Sequence, residues 1–192
     1  MSNITKKALE ASFKNLLMTT PLHKITINDI TNECGVNRMT FYYHYKDIYD
    51  LIENMFTEDA KKIIENKVRF KSWQNAMLEI FNVVLENKVI ILNIYHSVSH
   101  EQVENYLNSL IYDILKDVVD KNSETLEVSE EDKKFIADFY KYAFTGVILN
   151  WIKGDMKITP ELMAEKLMTL IEGNIMRDLI SFRKASLSKK QK

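Results

Sequence analysis

One cysteine, two prolines and four glycines are spread over 192 residues, and no segment of about twenty residues is continuously apolar. Cys34 has no second thiol with which to close an internal disulfide. No window reads as a secretory signal, so a reducing cytoplasm is the expected compartment. Scarce Gly and Pro argue against turn-rich β architecture and against a glycine loop that could cradle phosphate. No nucleophile elbow or zinc-protease signature occurs, and the expectation is a protein that is not an enzyme. Charge is nearly balanced: 26 basic and 27 acidic residues give a net charge of −1 and a pI near 6.4, which excludes a globally basic nucleic-acid binder. Any polyanionic partner must meet a local patch. One stretch does lack acid: between Glu33 and Asp47 there is no Asp or Glu.

What is present is helix-forming. Hydrophobic residues make up 46% and charged residues 28%, and Leu, Ile, Lys, Glu, Asn and Met abound. Apolar spacing follows three- and four-residue steps, and cap signatures punctuate it: Thr26 with Asp29, Asn37 before Arg38, Asp47 with Asp50, Ser99 with Gln102, Ser129 with Asp132, and Thr159 before Pro160. The pattern predicts an all-α fold of about nine helices, over 4–19, 27–33, 38–45, 47–68, 72–87, 89–97, 99–120, 130–153 and 160–182. The first three are short and tightly linked, whereas those after Asp47 are mostly longer. Residues 1–46 are therefore expected to form a head, and residues 47–192 a helical bundle body.

In the head, "TINDITNECGVNRMTFYYHY" gives a short helix, a glycine at Gly35 suited to a left-handed turn, and a second short helix. A helix-turn-helix has this arrangement, and its second helix must stand proud to enter a major groove about 12 Å wide. Phe41, Tyr42, Tyr43, His44 and Tyr45 place five rings in a row. On a helical wheel Phe41 and Tyr45 share one stripe with Ile48, while Arg38, Thr40, Tyr42, Tyr43, His44 and Lys46 lie elsewhere, rich in donors for phosphate oxygens. The alternative is an aromatic helix that docks on protein, since Tyr and Arg also enrich such interfaces.

The stretch "ITINDITNECGVNRMTFYYHYKDIYDL", Ile25 to Leu51, resembles the DNA-binding signature of the TetR/AcrR family of transcription regulators. The resemblance implies a TetR-like fold, phosphate contacts from Thr26, Asn37, Tyr42 and His44, and groove contacts from Arg38, Met39, Thr40 and Tyr43. Phe41 and Tyr45 would be core. Met39 stands where a small residue is common, and a lysine often found at the Ile48 position is missing; Lys46 is the candidate to replace its phosphate contact. "WQNAMLEIFNVVLENKVIILNIYHSV" and "FTGVILNWIKGDMKITPELMAEKL" are similar to the C-terminal domain of the DhaS-like branch, in which a protein coregulator can replace a diffusing inducer.

The resemblance implies a homodimer that binds a palindromic double-stranded operator, more often as a repressor, under a small-molecule or protein effector. An activator working with a protein coregulator, or a helical interaction module without DNA binding, is the alternative. For the dimer face the sequence offers Gly146 and Trp151, then Leu167, Met168, Ile171, Ile175 and Leu179, although the same apolar stripes would serve an internal core. An effector cavity could be lined by Trp73, Phe81, Tyr95, Tyr106, Tyr112, Phe139 and Tyr142, although ordinary packing explains such rings as well. No cofactor and no metal site is expected. His96 and His100 lie four apart near Glu104, but the Ser99 cap separates them and a fourth ligand is lacking.

Overall fold

The computed structural model describes residues 2–65, 73–171 and 173–190, with every side chain in them except those of residues 2, 60–65, 73, 74, 76 and 186–190. The described residues form ten α-helices and one 3₁₀ turn, and no strand. The helices are α1 (Ser2–Thr19), α2 (Ile27–Glu33), α3 (Arg38–His44), α4 (Ile48–Glu65), α5 (Trp73–Glu86), α6 (Lys88–Ser97), α7 (His100–Ser123), α8 (Glu130–Lys153), α9 (Pro160–Ile171) and α10 (Asn174–Lys190). The fold is all-α, as the apolar spacing predicts. The last predicted helix, 160–182, is two helices: Gly173 takes φ +76°, a left-handed conformation that interrupts an α-helix. Residues 66–68 and 72 of the predicted 47–68 and 72–87 helices lie outside the described residues.

The chain divides into two compact units, residues 1–100 and 101–192. In the first, α1 packs against α2 and α6, and α2 against α3. One apolar cluster joins them: Leu9, Phe13 and Leu17 of α1, Leu22 and Ile25 of the following link, Ile30 of α2, and Phe41 with Tyr45 around α3. Leu51 and Met55 of α4 and Ile90 and Ile94 of α6 complete it. Ser12, buried in the same place, donates to the Ile30 carbonyl at 2.7 Å, so its hydroxyl is satisfied without water.

Asn93 of α6 works differently. Its Nδ2 donates to the carbonyls of Leu17 and Thr20, each at 2.8 Å, and its Oδ1 accepts from the Leu22 amide at 2.9 Å. Helix ends leave carbonyls without intrahelical partners. A single side chain on α6 thus closes the end of α1 and the start of the 3₁₀ turn Leu22–Lys24.

In the second unit α10 packs against α8 and α9. The Tyr140 hydroxyl donates to Asp178 at 2.7 Å, and burial followed by that carboxylate pushes its pKa well above the ordinary tyrosine value. Thr145, also buried, donates to Asn108 at 2.8 Å. Between α8 and α9 the turn is tied by the Trp151 indole donating to the Ile158 carbonyl at 2.8 Å. Asp155 and Met156 both take positive φ there, 60° and 51°, with Met156 buried and its amide donating to the Trp151 carbonyl at 2.9 Å. No described helix is long and apolar enough to cross a membrane.

Candidate nucleic-acid interface

The helix-turn-helix is assembled from local chemistry. Thr26 caps α2: its Oγ1 accepts from the Asp29 amide at 3.2 Å, while the Asp29 carboxylate takes the Thr26 amide at 2.8 Å and hydroxyl at 2.6 Å. This reciprocal box satisfies donors that a helix start leaves free. The Thr26 hydroxyl, then its amide, holds the Asp29 carboxyl below the usual 3.8. Gly35 ends the turn at φ +71°, with its amide donating to Asn32 and the Val36 amide to Thr31. Asn37 then starts α3, its Oδ1 accepting both the amide (2.8 Å) and the hydroxyl (2.9 Å) of Thr40.

α3 is seated by two rings. Phe41 and Tyr45 are buried with centroids 5.7 Å apart, and the Tyr45 hydroxyl donates to Glu10 of α1 at 2.8 Å. Burial first, and Glu10 second, raise the Tyr45 pKa far above its ordinary value, so the hydroxyl stays a donor at any physiological pH. The other side of the helix faces outward. Met39 is 75% and Tyr43 79% exposed; Arg38, Tyr42 and Lys46 are exposed too, and His44 is half-buried with its ring 5.0 Å from that of Tyr43. Arg38 Nη2 donates to the Tyr42 hydroxyl at 2.9 Å, with the guanidinium 5.5 Å from the ring centroid. The nearest acids in sequence are already engaged: Asp50 accepts the Lys46 amide at 2.8 Å, and Asp47 accepts the Asp50 amide at 2.9 Å.

The expected contact set thus divides. Arg38, Met39, Tyr42, Tyr43 and Lys46 share the exposed surface. Thr26 and Thr40 rest with their hydroxyls on Asp29 and Asn37, while the caps themselves are held by backbone amides, so either hydroxyl can turn to another acceptor with its cap intact. Asn37 uses only its oxygen on the cap, which leaves the two N–H of its exposed side-chain amide outside it. Asn93 and Glu10, which hold this head together, escaped the sequence reading; a lone Asn inside the apolar run "VIILNIYHSV" was the available signal, because a buried amide needs partners.

The body residues are dispersed. Phe81 and Tyr95 are buried in the first unit, whereas Tyr106 and Tyr112 are half-buried and Phe139 and Tyr142 exposed in the second; the side chain of Trp73 lies outside the description. Trp151, Leu167, Met168, Ile171, Ile175 and Leu179 are all buried within the chain. Within the single chain these six side chains are core. The exposed apolar residues are their neighbours: Phe135, Phe139, Tyr142 and Val147 on α8, Leu162 and Leu170 on α9, Met176 and Ile180 on α10. Gly146 remains on that surface. It lines a 680 Å³ groove with Tyr142, Val147, Lys166 and Leu170, and a Cβ added to it would meet no atom within 4 Å. His96 and His100 fall on different helices, both against the Tyr95 ring, and no cluster of three metal-ligating residues occurs among the described residues.

Residues 71–173, more than half of the chain, match the family model TetR_C_8, a transcriptional regulator C-terminal region. The chain is 28% identical over 118 residues, 58% of its length, to the HTH-type dhaKLM operon transcriptional activator DhaS of Lactococcus lactis subsp. lactis (strain IL1403). It is 25% identical over 179 residues, 88% of its length, to an uncharacterized HTH-type transcriptional regulator, YxbF, of Bacillus subtilis (strain 168). It spans 63% and 44% of the lengths of these two curated relatives. Among solved structures, a dihydroxyacetone kinase operon activator DhaS superposes with TM-score 0.71 at 21% identity, covering 95% of this chain and 99% of that one. The fatty acid degradation regulator FadR of Bacillus halodurans superposes with TM-score 0.61 at 13% identity, covering 88% and 95%. These relatives are transcriptional regulators, not enzymes.

Proposed function

The chain belongs to the TetR family of transcriptional regulators, in the DhaS-like branch, and from that premise we propose that it binds a palindromic DNA operator as a homodimer. The observation that carries this reading is the outward face of α3. Arg38, Met39, Tyr42, Tyr43 and Lys46 stand exposed on or just after a helix anchored from behind by Phe41 and Tyr45, in a stretch with no acid between Glu33 and Asp47. A protein whose net charge is −1 gains affinity for a polyanion only through such a local surface.

Two copies are needed to meet two half-sites about 34–36 Å apart. Gly146 supports the second copy. A glycine inside a helix costs about 0.5–1 kcal/mol relative to alanine. Nothing in this chain requires its lack of a side chain, because the space beside it is open. A closely approaching second helix gives the reason, and the exposed apolar residues of α8 and α9 supply the area. Control comes from an effector, small molecule or protein, acting on the body; α4 carries the change to the head. Similarity to a DhaS named as an activator favours activation over repression as the regulatory sign.

Titration of fluorescent DNA from upstream of the protein's own gene tests the core of this reading. A dimer should bind with sequence selectivity and with affinity that falls steeply as salt rises. Absence of binding even at low salt would sink it, and would favour a helical interaction module.

A further inference from the structure

Arg38 and Tyr42 are bonded before any DNA arrives. The guanidinium donates one N–H to the Tyr42 hydroxyl at 2.9 Å and lies 5.5 Å from the centre of its ring. Both side chains are exposed, so this is not a device for filling the core. A hydroxyl that accepts in this way keeps its own proton, which remains available to a phosphate oxygen. Arginine has five N–H groups, and one is spent on Tyr42; the rest belong to an exposed side chain on the first residue of α3. In a helix-turn-helix it is the N-terminal part of the recognition helix that meets base edges. Thr40 rests with its one hydroxyl proton on Asn37, and Met39 has none to give. On this turn of the helix Arg38 alone offers several donors in one plane, the geometry that a bidentate contact requires.

We propose that Tyr42 is a positioning residue: its hydroxyl holds the Arg38 guanidinium ready to grip one guanine, through O6 and N7, in each half-site. An arginine forming a bidentate pair loses side-chain freedom on binding, and one already held loses less. The hydroxyl thus serves specificity through Arg38, and affinity through its own proton on the backbone. This inference rests on the DNA-binding reading above.

Binding-site selection from random DNA with the full-length chain separates the two ideas, followed by affinity measurements on the selected operator and on copies changed at each guanine. Tyr42→Phe keeps the ring and removes only the hydroxyl. It should reduce discrimination at a single guanine per half-site by roughly threefold to tenfold, part of the ~5- to ~150-fold that a complete bidentate contact supplies. Other positions should keep their preference. Arg38→Ala, which leaves no side-chain N–H, should abolish discrimination at the same guanine, and adding Tyr42→Phe to it should change that position no further. If Tyr42→Phe weakens every sequence equally, or if the two substitutions act additively there, the positioning role is overturned while the DNA-binding reading stands. A wild-type chain that selects no sequence overturns both.

Discussion

Replacing Asn93 by alanine removes three hydrogen bonds that one side chain makes to residues 71 to 76 positions away. The Leu17 and Thr20 carbonyls and the Leu22 amide lose their partner together. Each buried polar group left unpaired costs about 1–3 kcal/mol. Asn93 is half-buried, so water entering the gap recovers part of this, and the expected loss is roughly 2–4 kcal/mol in all. Against a total stability of about 5–15 kcal/mol that is a large fraction. Urea unfolding followed by a probe in the first unit would report it as a lower midpoint at unchanged slope. Hydrogen exchange adds a residue-specific readout: the Leu22 amide should lose protection more than its neighbours. Asn93→Asp keeps an acceptor for that amide but faces two carbonyls with an oxygen, so it should lower stability while leaving Leu22 better protected than alanine does. A loss under about 0.5 kcal/mol in the alanine variant, with Leu22 exchange unaltered, would refute the assignment of Asn93 as the clamp.

Thr26→Val deletes the cap oxygen of α2 and should cost about 1 kcal/mol, with the Asp29 carboxyl pKa rising toward 3.8 in an NMR titration. The sign follows from linkage: a depressed folded-state pKa stabilises the protein above the unfolded value, and that contribution fades as pH falls through the folded value, so the variant should lose the hydroxyl's share of this acid dependence and keep the share of the Thr26 amide. Gly146→Ala tests the dimer surface from both sides. It should raise the stability of an isolated subunit by about 0.5–1 kcal/mol, yet shift the population toward monomer in sedimentation at micromolar concentration; an unchanged dimer would remove Gly146 from the interface. Tyr42→Ala should weaken operator binding broadly, and Arg38→Ala should do so without abolishing salt dependence, both measurable by gel shift.

The head was more legible than the body. Thr26, Asn37 and Gly35 announce their roles locally, through caps and a left-handed turn that three or four residues specify. Phe41 and Tyr45 separate from Tyr42 and Tyr43 on a wheel because only one stripe of a short helix faces inward. Asn93 was hidden because its partners are remote in sequence, and nothing in a helical pattern tells an amide which distant carbonyls it will meet. In the last two helices both stripes are apolar, so the wheel could not choose which would be spent inside; packing chose Leu167, Met168, Ile171, Ile175 and Leu179. The break at Gly173 escaped notice because the apolar period continues across it.

Of the twelve buried residues in the cluster beneath the head, eight lie within residues 1–46, and the others, Leu51, Met55, Ile90 and Ile94, come from α4 and α6. That division bears on how such regulators can be recombined. A chimera that grafts residues 1–46 onto another body carries over the exposed face of α3 but leaves behind a third of the hydrophobic seat on which it stands, together with Asn93. A graft that takes α4 and α6 along transfers a finished core. The exposed face of α3 and the helices behind it are thus inherited as a set, and a change on that face is made on a support that is encoded in part some fifty residues downstream.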